Sequence, residues 1–123
     1  MKRVRLGGLG IIKATCDLLS QGGVVVYPTD TLYGFGCDAE NDEAIKKINQ
    51  IKGRTTPISV LAPDMNTALG WMKLTDDEKI MVSKKLGGAS TVIVPVFKDT
   101  VHSLITGHQN TLGIRIPDHP FCK

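Results

Sequence analysis

Residues 24 to 39 read Val-Val-Val-Tyr-Pro-Thr-Asp-Thr-Leu-Tyr-Gly-Phe-Gly-Cys-Asp-Ala, and this stretch restricts the possible folds of the chain more than any other. The β-branched run Val24 to Val26 predicts a buried strand. Tyr27-Pro28 ends it, because proline has no N–H to donate to a ladder. Thr29, Asp30 and Thr31 then set three short oxygen-bearing side chains at the strand exit, followed by Tyr33, Gly34 and Gly36. Open α/β sheets bind ligands at such exits, which makes the block a candidate site. A structural turn capped by threonine or aspartate explains the same residues.

The flanking sequence supplies the rest of an α/β pattern. Ile11, Ile12, Cys16, Leu18 and Leu19 fall at helical spacing within residues 9 to 21, and Gly22-Gly23 stops that helix. Leu32 to Cys37 reads as a second extended segment. Asn41-Asp42-Glu43 opens a helix, the cap and acids suiting its positive end, with Ala44, Ile45, Ile48 and Ile51 as the buried stripe. A strand is expected from Ile58 to Ala62, led by Pro57, and a short helix from Pro63-Asp64 through Trp71. Thr75 to Glu78 fits a capping box for a helix reaching Leu86, closed by Gly87-Gly88. Thr91 to Val96 reads as a strand whose Pro95 calls for an edge or a bulge. Residues 98 to 111 give no clear pattern, and Leu112 to Ile116 reads as a last strand ending at Pro117. Alternating strands and helices predict one α/β domain over residues 1–123 with a mixed sheet.

Composition narrows the function classes. The chain has 123 residues, room for one core. No window approaches the roughly 20 apolar residues of a membrane span. Neither a cleavage site nor a C-x-x-C pair is present. Cys16, Cys37 and Cys122 therefore predict free thiols in a reducing cytoplasm, with a catalytic Cys37 as the weaker alternative. The net charge of +3 permits phosphate or nucleic-acid binding without requiring it.

Several groups could carry chemistry. Lys52 and Arg54 flank Gly53 at a helix end, where cations either offset the helix dipole or hold phosphate or carboxylate. Arg115 lies in the apolar strand Leu-Gly-Ile-Arg-Ile-Pro, and alternation sets it opposite Ile114 and Ile116, either solvated or paired with an anion. The turn Gly87-Gly88-Ala89-Ser90 before Thr91 is a helix stop whose N–H groups could also hold an anion. It is not a Walker A loop. His102, His108 and His119 lack metal-ligand spacing, and no metal site is expected.

Taken together, these segments resemble the YrdC-like family, the L-threonylcarbamoyladenylate synthases. The resemblance rests on the block Y-P-T-D-T-x-Y-G-x-G-x-D-A at Tyr27 to Ala39, K-x-R at Lys52 to Arg54, the strand from Pro57 to Ala62, the turn ending in Thr91, and x-G-I-R-I-P at Leu112 to Pro117. It implies a twisted mixed sheet with flanking helices around a large, positively lined cavity. It also implies an enzyme joining L-threonine, bicarbonate or CO₂, and ATP, with Mg²⁺, into threonylcarbamoyl-AMP and pyrophosphate. The product would feed tRNA modification through a separate threonylcarbamoyl-transfer complex, and some members bind double-stranded RNA.

By the same resemblance, Lys52 and Arg54 serve catalysis and hold the nucleotide, and Thr91 faces it. Thr31, Tyr33 and Arg115 line a threonine pocket, and Thr29 and Asp30 shape the loop. Two departures stand out. The family's P-G-P-x-T turn is Gly87-Gly88-Ala89-Ser90-Thr91 here, and no S-x-N follows Arg115, so a C-terminally truncated domain with weak or absent activity is expected. The alternatives are a non-catalytic module binding double-stranded RNA or nucleotide, and a carbamoyl-AMP-forming relative like the YrdC-like domains of hydrogenase-maturation proteins.

Overall fold

The computed structural model describes residue 8 and residues 10–53, 58–97, 100–101, 103–106 and 110–122. Arg54, Pro57, His102 and His108 lie outside the described residues. The order is α1 (Ile11–Ser20), β1 (Val25–Pro28), β2 (Tyr33–Gly36), α2 (Asp42–Lys52), β3 (Val60–Leu61), α3 (Met65–Trp71), α4 (Asp76–Ser83), β4 (Thr91–Pro95), α5 (Ser103–Thr106) and β5 (Thr111–Arg115), then a 3₁₀ turn at Pro120–Cys122. Among the described residues no helix is long and apolar enough to cross a membrane.

The strands form two sheets. β1 and β2 make an antiparallel hairpin, and β5 lies between β3 and β4 in the other sheet. β3 runs parallel to β5 and β4 antiparallel to it, so the architecture is mixed α/β. β4 is an edge strand, which is why Pro95 is tolerated without a bulge. Leu112 and Ile114 point from β5 into a core shared with Ile45, Ala62, Ala68, Met72, Leu86, Val94, Val96 and Ile105. Thr111, Gly113 and Arg115 occupy the opposite face at intermediate burial.

Local signals set the helix ends. After α1, Gly22 N–H bonds Leu19 O at 3.0 Å and Gly23 N–H bonds Leu18 O at 2.9 Å, a Schellman motif with Gly22 at φ 84°. Asn41 accepts the Ala44 N–H at 3.0 Å, and Gly53 closes α2 at φ 67°. Asp64 accepts the Thr67 N–H at 2.7 Å. Thr75 and Glu78 form the reciprocal capping box, both bonds at 3.2 Å.

Four expectations need correction. Val26 is 51% exposed, because β1 pairs only with β2 and nothing covers the outer face of that hairpin among the described residues. Ile51 is 55% exposed, since residues 50–53 are all uncovered, and Asn49 is buried instead. The strand expected from Ile58 to Ala62 pairs only at Val60–Leu61. Finally, α4 stops at Ser83 and reaches Leu86 through a turn in which the Lys85 and Leu86 N–H groups both bond Val82 O.

Candidate functional site

The polar block forms the loop between β1 and β2. Its organiser is Thr29, whose N–H bonds Leu32 O at 3.0 Å and whose hydroxyl donates to Leu32 O at 2.7 Å. The Thr29 hydroxyl oxygen also accepts from the N–H groups of Thr31 and Leu32, each at 3.2 Å, and lies 3.2 Å from the Thr31 hydroxyl. This is a threonine-centred turn, so the structural reading of the block holds. It leaves the Thr31 side chain outward and Tyr33 72% exposed at the start of β2.

The loop is also one half of an ion pair across the two sheets. Arg115, at the end of β5, pairs with Asp30, the two side chains being 13% and 17% exposed. Arg115 Nε donates to Gly88 O at 3.0 Å, one terminal nitrogen donates to Thr29 Oγ1 at 3.3 Å, and the other donates to Asp30 Oδ1. The second Asp30 oxygen accepts the Asp118 N–H at 3.0 Å. Three chain segments, at 29–32, 87–90 and 115–118, therefore meet on one guanidinium. An arginine this covered needs its charge matched, and the contacts do so while engaging each of its three nitrogens.

Thr91 faces Arg115 directly in the register of β4 with β5. The structure thus brings together Thr29, Asp30, Thr31, Thr91 and Arg115. Lys52 is exposed in the last turn of α2. The glycine turn plays a different part from an anion nest. Gly88 N–H is spent on Ile116 O at 2.9 Å and Ser90 N–H on Gly87 O at 3.2 Å, while the carbonyl of Gly88 receives Arg115. Gly87 and Gly88 take φ 137° and 56°, a path that side-chain-bearing residues rarely follow. The Gly88 carbonyl and the Asp118 N–H are backbone groups, and no residue-type pattern marks them in a sequence.

A separate cavity of about 350 Å³ lies between α1, α2, the hairpin and β3. Its lining is mostly apolar, with Ile12, Leu19, Val25, Phe35, Ile45 and Val60 among the walls, and no charged residue contributes among the described residues. Among the described residues, none of the site positions that the family resemblance singles out lines it. All three cysteines do line it. Burial raises the pKa of Cys37 and Cys122, with Asp38 and Asp30 respectively adding to the effect and Arg115 opposing it at Cys122. Burial thus favours the thiol over the thiolate at both, and the thiolate is the nucleophilic form. Cys122 instead donates its S–H to Pro28 O at 3.4 Å, and Phe121 lies near the Tyr27 ring with centroids 6.3 Å apart. His119 Nδ1 accepts the Phe121 N–H at 3.1 Å and so fixes the final turn. Among the described residues no three His, Cys, Asp or Glu side chains converge as a metal site.

Comparison with known proteins bears on these features. A family model covering Sua5, YciO and YrdC, described as "Telomere recombination", matches residues 17–123. The threonylcarbamoyl-AMP synthase of Pseudoalteromonas translucida (strain TAC 125) is 34% identical over 119 residues, spanning 91% of this chain and 62% of that protein. The threonylcarbamoyl-AMP synthase of Bacillus subtilis (strain 168) is 35% identical over 112 residues, spanning 89% of this chain and 32% of that protein. The crystal structure of P. abyssi Sua5 complexed with L-threonine matches with a TM-score of 0.76 at 26% identity, over 90% of this chain and 33% of that one. The chain thus spans from a third to about three-fifths of the length of these proteins.

Proposed function

Because the chain belongs to the Sua5/YciO/YrdC family, we propose that it is a threonylcarbamoyl-AMP synthase-type domain that binds L-threonine and ATP. The observation that carries this reading is the fixed guanidinium of Arg115 beside the Thr29–Thr31 turn. A guanidinium has five N–H groups, and three different nitrogens are already engaged. Contacts with the described residues account for one N–H on each terminal nitrogen, and a guanidinium meets the two oxygens of an amino-acid carboxylate through two N–H groups. Thr31 and Tyr33, both exposed in and just after the same loop, line the remainder of the proposed threonine pocket.

The chemistry needs positioning more than covalent help. The threonine amine bonds the carbon of CO₂, which is supplied by bicarbonate, and loses a proton to give a carbamate. A carbamate oxygen then bonds the α-phosphorus of ATP as the bond to the pyrophosphate oxygen breaks. In-line transfer of this kind rests on alignment and charge neutralisation. Lys52 and Arg54 offset the triphosphate charge, and Thr91, across from Arg115, meets the nucleotide. Mg²⁺ would supply further neutralisation of the triphosphate charge. The free cysteines accord with the cytoplasm, where the threonylcarbamoyl group passes to tRNA through a separate complex.

Because the chain spans only part of its relatives' length, the test reads binding rather than turnover. Calorimetric titration with L-threonine should show saturable binding that Arg115→Ala weakens by about a hundredfold, the scale of losing a charged two-pronged contact. Lys52→Ala should weaken ATP and leave threonine unchanged. Equal threonine affinity with and without Arg115 would sink the reading.

A further inference from the structure

We infer that Asp30 is the positioning residue for Arg115, its carboxylate setting the direction in which the guanidinium fork meets the substrate carboxylate. This rests on the reading of Arg115 as the threonine anchor. Asp30 belongs to the hairpin loop and Arg115 to the far sheet, 85 residues apart in sequence. The Asp30 side chain is nevertheless turned in, at 17% exposed, although the residue as a whole is exposed.

Its two oxygens have different tasks. Oδ1 takes the second terminal nitrogen of Arg115, and Oδ2 takes the Asp118 N–H at 3.0 Å. The carboxylate is therefore itself held, by backbone that follows β5, before it holds the arginine. The other two acceptors of Arg115 are neutral, and one of them, Thr29 Oγ1, is at 3.3 Å. A charged acceptor makes the stronger bond, so Asp30 decides where the far end of the guanidinium sits. Both partners of Asp30 are donors. An asparagine there has one oxygen and one NH₂, so it satisfies one partner and sets donor against donor at the other. A misdirected fork loses a contact that depends on two aligned N–H groups.

The test compares wild type, Asp30→Asn and Asp30→Glu, with L-threonine and ATP as probes. In Asp30→Asn, threonine affinity should fall about tenfold or more, as small misplacements in a positioned site do, while ATP affinity stays within about twofold. A second readout is the ¹⁵N spectrum of the arginine side chains. Arg115 should give resolved terminal-nitrogen signals in the wild type, from a guanidinium that does not rotate freely, and Asp30→Asn should collapse them. Asp30→Glu keeps the charge and both acceptors one methylene out of place, so it should keep the resolved signals and bind threonine with intermediate affinity. It also decides the matter if the asparagine variant does not fold. Wild-type threonine affinity in either folded variant, or resolved signals that persist in Asp30→Asn, would overturn the inference. If the wild type binds no threonine, the functional reading fails, and the spectrum still reports whether Asp30 fixes Arg115.

Discussion

The two sheets are held in opposite ways. The sheet β3-β5-β4 is fastened by apolar burial: Ile114 is 0% exposed, and Leu112, Val94 and Val96 join it in a core with residues from α2, α3 and α5. The β1–β2 hairpin buries one residue on its own strands, Pro28. What ties it down is a few discrete, mostly polar contacts from the end of the chain: the Asp30–Arg115 pair, the Cys122 thiol on Pro28 O, and the Tyr27–Phe121 contact. The candidate ligand groups Thr31 and Tyr33 sit on the weakly packed element, and their anchor, Arg115, sits on the well-packed one. Elements with few buried contacts open at lower free energy than cores do, so the hairpin should move on its own while the sheet stays closed.

The largest effect tests the sheet. Ile114→Ala leaves a cavity at the centre of the core and should cost about 2–5 kcal/mol in denaturant unfolding. The hairpin has no core of its own, so it should melt in the same transition. A hairpin that keeps its amide protection in this variant would break the comparison. Next comes the tie between them. Arg115→Met leaves the Asp30 carboxylate largely covered without its cation. Uncompensated buried charges cost about 3–5 kcal/mol, and the residual exposure here lowers the expectation to about 1–3 kcal/mol. Hydrogen exchange should quicken across residues 25–36 and not at Leu112 or Ile114. Uniform quickening would mean that the two sheets open as one unit.

A smaller effect should come from within the hairpin. A Cβ on Gly36 would fall 2.5 Å from Cε1 of Tyr27, so the ring must move. Overpacking costs about 1–3 kcal/mol, and a ring at the rim of the cavity can give way, so Gly36→Ala should fall near the low end, about 1 kcal/mol. Its signature is a disturbed Tyr27–Phe121 contact, read from aromatic NMR shifts, with an unchanged sheet.

These differences also explain what the sequence could and could not disclose. Asn41, Asp64, Thr75 and the Gly22-Gly23 pair act on backbone groups a few residues away, so their roles are legible in a short window. Pro95 on an edge strand is legible for the same reason, since a missing N–H excludes the middle of a sheet. Alternation in β5 separates Arg115 from Ile114, and it leaves solvent and an anion as equal partners for the arginine. Asp30 wins that choice from 85 residues away, which only the tertiary fold can decide. Val26 and Ile51 went the other way for one physical reason: periodicity says which side of an element is apolar and not whether anything covers it. The Lys52-Gly53-Arg54 pattern stays a reading from family resemblance, with Lys52 exposed and Arg54 outside the described residues.

The smallest effect sharpens the comparison from the helix side. The Thr75 hydroxyl accepts the Glu78 N–H, and the Glu78 carboxylate accepts the Thr75 N–H, each at 3.2 Å. Thr75→Ala should cost about 1 kcal/mol, as loss of an N-cap does. The Thr75 hydroxyl and the Thr75 N–H both favour the charged form of the Glu78 carboxylate, so its pKa lies below the ordinary glutamate value, and the N–H and hydroxyl of Thr67 do the same for Asp64. A group with a lowered folded pKa contributes stability that is fully present above its unfolded value and is lost as pH falls through the folded one. The gap in Tm between wild type and Thr75→Ala should therefore be widest near neutral pH and narrow on acidification below the usual carboxylate range. The loss should register in the β3-β5-β4 sheet, because Met72 and Leu86, which follow α3 and α4, belong to its core. Hairpin exchange rates that respond to Thr75→Ala more than those of the sheet would contradict the division of the molecule into an apolar anchor and a polar, separately opening arm.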